Sequence, residues 1–200
     1  MTGRTHDQIA VTSAVATSTA LVAAGQALPL EATAAMIAAA YGWARAPDYT
    51  ELGRIKHRTW THYFPVGALV ALLMFAAAAA ALPGLHVAVG AGVGTLLGWW
   101  THSLADALTN RGCWLWHRRR QVLLPDHLRI NVYTITTTRN RWTGKTTTKK
   151  EPSRGERMYR HAAKGLCVVF VVAHVALLGA SLDVPSDGRG ILAPALEQQR

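Results

Sequence analysis

A histidine and an aspartate stand four residues apart at the end of an apolar segment, in the run His102-Ser-Leu-Ala-Asp106. On a helix, this spacing places the imidazole and the carboxylate on one face, one turn apart. The pair could bind a metal ion together, or the carboxylate could orient the imidazole. Ionisable residues at membrane depth are costly and usually functional, so this pair is the strongest candidate for chemistry.

Further residues of the same chemical types lie elsewhere in the chain. His57 and His62 are five residues apart, a spacing that does not align them on a helix, so one is a candidate ligand and the other a candidate base or substrate contact. Asp48 lies in a polar loop, where a turn role is the alternative. His6 precedes the first apolar segment and Glu156 the last, where each could simply favour a helix N-terminus.

The elements that must position these residues are apolar blocks. Half of the residues are hydrophobic and 16% are charged, against about 25% charged in a typical soluble domain. Long uncharged segments are typical of membrane spans. We therefore predict a mainly α protein, an integral membrane helical bundle of four to five transmembrane helices, the second being the weakest. The segments are Gln8–Leu28, Glu31–Ala44, Pro65–Leu82, Leu85–Leu108 and Met158–Leu182.

A long basic insertion, about residues 110–160, separates the last two segments. Leu128–Thr138 alternates and is rich in β-branched residues, Arg139–Gly144 is turn-like, and Lys145–Lys149 is polar and β-prone. This pattern predicts a small cytoplasmic β-hairpin.

The distribution of charge predicts the orientation. The formal net charge is +10, and all but two of the 21 Lys and Arg residues, Arg189 and Arg200, fall on one face of a five-span topology. The positive-inside rule places that face in the cytoplasm of the cell inner (plasma) membrane. The candidate residues fall on this same face. The basic charge suits anionic lipid headgroups, whereas no recognition motif accompanies it that would favour nucleic acid as a partner.

The order of these motifs resembles that of the YdjM-type membrane-bound metal-dependent hydrolases, also described as LexA-binding, inner membrane-associated hydrolases. The resemblance covers roughly residues 6–156 and implies one membrane-embedded hydrolase-like domain over 1–182, followed by a tail over 183–200. The chain departs from the family pattern at Thr50, Thr59 and Tyr63, where Asp, Gly and Ser are usual. The matching residues are His6, Pro47-Asp48, Gly53-Arg54, His57-Arg58, Thr61-His62, His102-Ser103, Ala105-Asp106, Leu108-Thr109, Gly112 and, less specifically, Gly155-Glu156.

The order of ligands is also similar to that of the zinc-dependent phospholipase C and P1 nuclease group. That resemblance implies one metal site formed by Asp48, His62, His102 and Asp106, with His6 joining Asp106 at a second. The HxxxE motif that completes the cluster of that group is missing. Glu156 is the candidate substitute, which implies one or two metal ions.

The resulting hypothesis is a membrane-bound metal-dependent hydrolase that cleaves a phosphodiester or phospholipid-type substrate at the cytoplasmic membrane face. Mixed His and carboxylate ligands favour zinc, with manganese and iron as alternatives. His57 would be the base or a substrate contact, and Arg58 a phosphate clamp. The alternative is a membrane-anchored protein- or nucleic-acid-binding protein with a structural or vestigial metal site, whose hairpin docks a cytoplasmic protein partner. A transporter is a weaker third hypothesis.

Overall fold

The protein is mainly helical, as the sequence predicts. A computed structural model describes residues 2–51, 58–116, 120–125, 128–139 and 146–182, and within that part it contains one two-stranded antiparallel sheet. The helices are α1 (Gly3–Ala23), α2 (Leu30–Trp43), α3 (Ala46–Tyr49), α4 (Phe64–Ala81), α5 (Leu85–Ala107) and α6 (Arg154–Leu182), with a 3-10 turn at Trp60–His62 and strands β1 (Tyr133–Arg139) and β2 (Thr146–Pro152).

The five long helices overlap the five predicted apolar segments, but α1 begins and ends five residues earlier than predicted and therefore contains His6. Within the described residues, two stretches are long and apolar enough to cross a membrane, Phe64–Ala81 and Arg154–Gly179. Helix α2 has 14 residues, a length of about 21 Å, which is shorter than the roughly 30 Å hydrocarbon core of a bilayer. The count of four to five transmembrane helices therefore stays a prediction.

Helix α5 is the central element and packs against α1, α2 and α4. Three of its glycines face α2, at Gly90, Gly94 and Gly98. A Cβ atom added at any of them would lie between 2.1 and 2.6 Å from a backbone oxygen of α2. Small residues at such spacing let two helix backbones approach closely. His102 lies four residues after Gly98 on the same face of α5, so the close helix contact extends to the His102–Asp106 pair.

Helix α6 packs on α1 through hydroxyl groups. Thr12 Oγ1 donates to the carbonyl oxygen of Ala163 (2.9 Å), and Thr19 Oγ1 donates to that of Phe170 (3.1 Å). From residue 165 onward, most of the surface of α6 is apolar and exposed. The exposed side chains include Leu166, Val168, Val169, Val172 and Val175.

The β-hairpin is present, with strand boundaries shifted from the prediction. Strand β1 begins at Tyr133 rather than Leu128, because the preceding residues pair with the end of α5. Ile130 N donates to Leu108 O (3.2 Å), and Asn110 N donates to Ile130 O (3.4 Å). The register pairs Thr137 with Thr148. Most of the predicted turn and the tail over 183–200 lie outside the described residues.

Helix α6 begins four residues before the predicted segment. Ser153 precedes it, and its Oγ accepts a hydrogen bond from Glu156 N (3.1 Å). A serine in this position caps a helix N-terminus. The cap brings Glu156, in the first turn, to the same end of the molecule as His102 and the start of α1.

Candidate metal centre

His102 is fully buried on α5 and is held by the end of α2. Its Nδ1 lies 2.7 Å from the carbonyl oxygen of Ala44. Since a carbonyl oxygen only accepts, Nδ1 carries the hydrogen, and the lone pair of the neutral ring is at Nε2. The helix contact therefore fixes which nitrogen of His102 can bind a metal.

Three further side chains surround that nitrogen. The Nε2 atom of His102 lies 3.2 Å from His62 Nε2 and 3.4 Å from Asp48 Oδ1. Asp106 Oδ2 lies 3.4 Å from His62 Nε2 and 4.0 Å from His102 Nε2. Asp48 Oδ1 is 3.6 Å from His62 Nε2. We call Asp48, His62, His102 and Asp106 the ligand group.

The spacing of the ligand group fits a divalent metal ion. Four ligands about 2.0–2.1 Å from a zinc ion in a tetrahedron lie about 3.3 Å from one another. The four candidate atoms of the group all lie within 4.8 Å of one another, and the shorter separations are close to that value. Two imidazoles with two carboxylates form a donor set that suits zinc, and also manganese or iron.

Glu51 is a further residue of the site that the sequence analysis did not single out. Its Oε1 accepts hydrogen bonds from Thr61 Oγ1 (3.0 Å) and Arg58 N (3.0 Å), and it lies 3.6 Å from His62 Nδ1. A carboxylate behind a ligand histidine orients the ring and raises its basicity. The available signal was an acid three residues after Asp48, within the same polar loop.

The electrostatics of the ligand group favour ionised carboxylates around His62. Burial lowers the pKa of His62, but the carboxylates of Asp106 and Asp48 outweigh this effect and raise it above its ordinary value. Burial raises the pKa of Asp48, but its contacts with the His102 and His62 rings hold the pKa well below its ordinary range. In the absence of metal, a proton on His62 therefore supplies the positive charge that the carboxylates attract.

Arg58, a predicted catalytic residue, lies against Asp106. Its Nε is 2.9 Å from Asp106 Oδ2, its Nη2 donates to Asp106 Oδ1 (3.1 Å), and its Nη1 donates to Thr109 Oγ1 (2.6 Å). Its side chain is buried. The guanidinium thus contacts a ligand carboxylate, and its predicted role as a phosphate clamp stays a prediction.

His6, predicted at a second metal, lies beside the ligand group on α1. Its ring stacks on His102 with centroids 3.8 Å apart, and its Nε2 is 3.4 Å from Asp106 Oδ1. It is buried, and neither ring nitrogen has a hydrogen-bond partner among the described residues. The residue is thus placed where it could share Asp106 with the ligand group.

Glu156, the other predicted ligand, is not a member of the ligand group found among the described residues. Its Oε1 accepts hydrogen bonds from Thr2 N, Thr2 Oγ1 and Thr5 Oγ1 at 2.8, 2.6 and 2.5 Å. Its Oε2 is buried without a hydrogen-bond partner in the described structure. Glu156 therefore anchors the turn of α1 that carries His6, and its role as a ligand stays a prediction.

The predicted catalytic His57 lies outside the described residues. Thr50, which stands where the resembling family has a second Asp, is exposed, and its hydroxyl donates to the carbonyl oxygen of Pro47 (3.1 Å). The ligand group forms without a carboxylate at position 50.

The side chain of Asp48 is 36% exposed, and this is the open side of the ligand group. A cleft of about 180 Å³ is lined by Tyr49, the residue after Asp48, and by Asp7, Tyr41, Gly42 and Arg45. Comparison with known proteins identifies no relative, since no protein-family model, curated protein or solved structure matches this chain.

Proposed function

We propose that the protein is a membrane-bound metal-dependent hydrolase that cleaves a phosphodiester or phospholipid-type substrate at the cytoplasmic face of the membrane. The observation that carries this proposal is the ligand group, in which both imidazoles present Nε2 to two carboxylates at 3.4 to 4.0 Å. The resemblance to the YdjM-type hydrolases, stated from the sequence, agrees with it.

The membrane part of the proposal is supported by uncovered apolar surface. Helices α4 and α6 expose leucine and valine side chains along their length, including Leu69, Leu72, Val168 and Val172. Exposed apolar patches of this extent on a soluble monomer would drive association, whereas lipid covers them without cost. We propose that α1, α2 and α5 complete a bundle of four to five transmembrane helices around them.

The chemistry follows from the ligand types. A divalent ion, zinc in the first instance and one or two in number, lowers the pKa of a water molecule and polarises a phosphoryl oxygen when bound. Asp48, His62, His102 and Asp106 would hold it, while Ala44 orients His102 and Thr61, held by Glu51, contacts His62 Nδ1. The partly exposed Asp48 marks the side from which an anionic phosphoester would enter.

The test uses the full-length protein purified in detergent. Wild type should contain close to one or two equivalents of metal and should hydrolyse a chromogenic phosphodiester or phospholipid vesicles. His102→Ala combined with Asp106→Ala should lose both metal and activity. His86→Ala is the matched control, because His86 lies on the same helix but hydrogen-bonds Glu31 (2.8 Å). A folded wild type without metal or hydrolytic activity would exclude the proposal.

A binding protein with a structural metal site is the second candidate. Four protein ligands in a tetrahedron are typical of structural zinc sites, whereas catalytic sites keep an open position. The hairpin also exposes Ile135 and Tyr133, which could contact a cytoplasmic protein partner. Capture of a partner that requires residues 133–152, is unaffected by His102→Ala and occurs without hydrolytic activity would favour this candidate.

A further inference from the structure

A buried arginine holds both oxygens of one metal-ligand candidate. Arg58 Nε lies 2.9 Å from Asp106 Oδ2, and Arg58 Nη2 donates to Asp106 Oδ1 at 3.1 Å. This is the two-pronged arrangement in which a planar guanidinium matches a carboxylate. The carboxylate of Asp106 cannot rotate without breaking two charge-assisted hydrogen bonds.

Arg58 is itself fixed on several sides. Its backbone N donates to Glu51 Oε1 (3.0 Å), its carbonyl oxygen accepts from Trp114 N (3.3 Å), and its Nη1 donates to Thr109 Oγ1 (2.6 Å). Its φ angle is 64°, in the left-handed region that is strained for a residue other than glycine. Such a conformation persists only where the surroundings over-determine it, so these contacts outweigh the strain.

The two oxygens of Asp106 face different side chains. Oδ2 is 3.4 Å from His62 Nε2, within the ligand group, whereas Oδ1 is 3.4 Å from His6 Nε2. Each carboxylate oxygen has two lone-pair directions, and the guanidinium occupies one on each. The carboxylate therefore presents Oδ2 to the ligand group and Oδ1 to His6, while the guanidinium spans both oxygens.

We propose that Arg58 is a positioning residue that makes Asp106 a one-oxygen ligand of the ligand group. This inference rests on the proposed metal site, and it gives Arg58 a role different from the phosphate clamp expected from the sequence. Without the guanidinium, the carboxylate of Asp106 can turn both oxygens toward one ion. The coordination number of that ion then rises, and Oδ1 of Asp106 no longer faces His6.

Cobalt binding tests this assignment without reference to activity. Co²⁺ is titrated into metal-free full-length wild type, Arg58→Met and Arg58→Lys in detergent, and visible absorption is recorded. Four-coordinate Co²⁺ absorbs more strongly than five- or six-coordinate Co²⁺, so the absorption per bound ion reports the geometry. We expect both variants to bind about 10- to 100-fold more weakly, with lower absorption per bound ion than wild type.

Comparing Arg58→Lys with Arg58→Met separates the effect of the guanidinium fork from the effect of its positive charge. Lysine keeps the positive charge but has no fork, so Arg58→Lys should be as deficient as Arg58→Met. Wild-type affinity and absorption in Arg58→Lys would overturn the proposal. Arg45→Met is the matched control, because Arg45 makes the same two-pronged contact with Asp7, which is not in the ligand group.

If the Arg58 variants do not fold, Thr109→Val tests whether Arg58 positions Asp106. It removes the hydroxyl that accepts from Arg58 Nη1, so a smaller change in the same direction supports the proposal, and wild-type absorption overturns it. Thr109→Ser retains the hydroxyl and should match wild type. A wild type that binds no cobalt would refute the proposed metal site itself, whereas unchanged cobalt binding by the variants refutes only the role of Arg58.

Discussion

The Nδ1 atom of His102 lies 2.7 Å from the carbonyl oxygen of Ala44, the residue that follows α2. On α5, His102 continues the four-residue series of Gly90, Gly94 and Gly98, whose Cα atoms lie against the backbone of α2. The close approach of the two helices therefore brings the carbonyl group to the imidazole. Helix packing and ligand geometry are linked in this protein, because the same interface determines both.

Gly94→Ala should weaken both the fold and the metal site. A Cβ at this position would lie 2.1 Å from Met36 O, so the helices must separate. We expect a loss of about 1–3 kcal/mol in the free energy of unfolding, measured by denaturant titration in detergent. Zinc affinity should fall about tenfold as Ala44 moves away from His102.

Gly165→Ala is the matched control for the glycine variant. It lies on α6, and a Cβ there would meet nothing within 4 Å. Alanine favours the helix by up to about 1 kcal/mol relative to glycine, so this variant should be as stable as wild type or more so. Equal stability of Gly94→Ala and wild type would contradict the close helix contact.

Glu51→Gln should reduce metal affinity while leaving the fold intact. The amide oxygen can still accept from Thr61 Oγ1 and Arg58 N, but the negative charge beside His62 Nδ1 is lost. Changes behind a ligand histidine typically cost about 10- to 100-fold in metal affinity. Zinc affinity is measured by competition with a chelator. Glu31→Gln, at the opposite end of the helices, should bind zinc like wild type, and equal affinity in both variants would refute the role of Glu51.

Zinc binding should weaken as pH falls, because His62 must lose its proton to act as a ligand. The pKa of His62 is raised above its ordinary value of 6.5, so affinity should be full above the raised pKa and fall about tenfold per pH unit below it. The pKa of Asp48 is lowered, so this carboxylate stays ionised in the same window.

The stability of the metal-free protein should change with pH in the opposite direction to zinc affinity. A raised pKa of His62 stabilises the fold at low pH, below its ordinary pKa, and the stabilisation is lost as pH rises through the raised value. The dissociation constant for zinc and the unfolding midpoint without zinc are measured from about pH 6 to about pH 8. Zinc affinity that does not change over this range would rule out His62 as a titrating ligand.

The two native cysteines report on membrane insertion. Cys167 lies 13 residues after the start of α6, about 20 Å along the helix, and lipid should shield it from a membrane-impermeant maleimide. Burial raises the pKa of the Cys113 thiol to about 12, so it should react slowly as well. Thr148→Cys, on the exposed hairpin, should react rapidly in inverted inner-membrane vesicles and only slowly in intact cells. Rapid labelling of Cys167 in intact membranes would contradict the insertion of α6.

The sequence predicted five long apolar helices and named the four side chains that the structure brings together as the ligand group. Long blocks of apolar residues predict the five long helices, because the length and composition of a block can be read from the local sequence. The spacing of His102 and Asp106 predicts that they share a helix face, since a helix places residues four apart on one side. The strand boundaries shifted because pairing of Ile130 with Leu108 and Asn110 is a contact between distant parts of the chain.

The tertiary structure alone assigned partners within the site. No local pattern predicts that Ala44 fixes the tautomer of His102, that Glu51 lies behind His62, or that Arg58 contacts Asp106 instead of solvent. These contacts join residues 11 to 58 positions apart, and they depend on how closely the helices pack. Residue type and spacing determine which side chains can bind a metal, whereas helix packing determines which atoms of those side chains face one point.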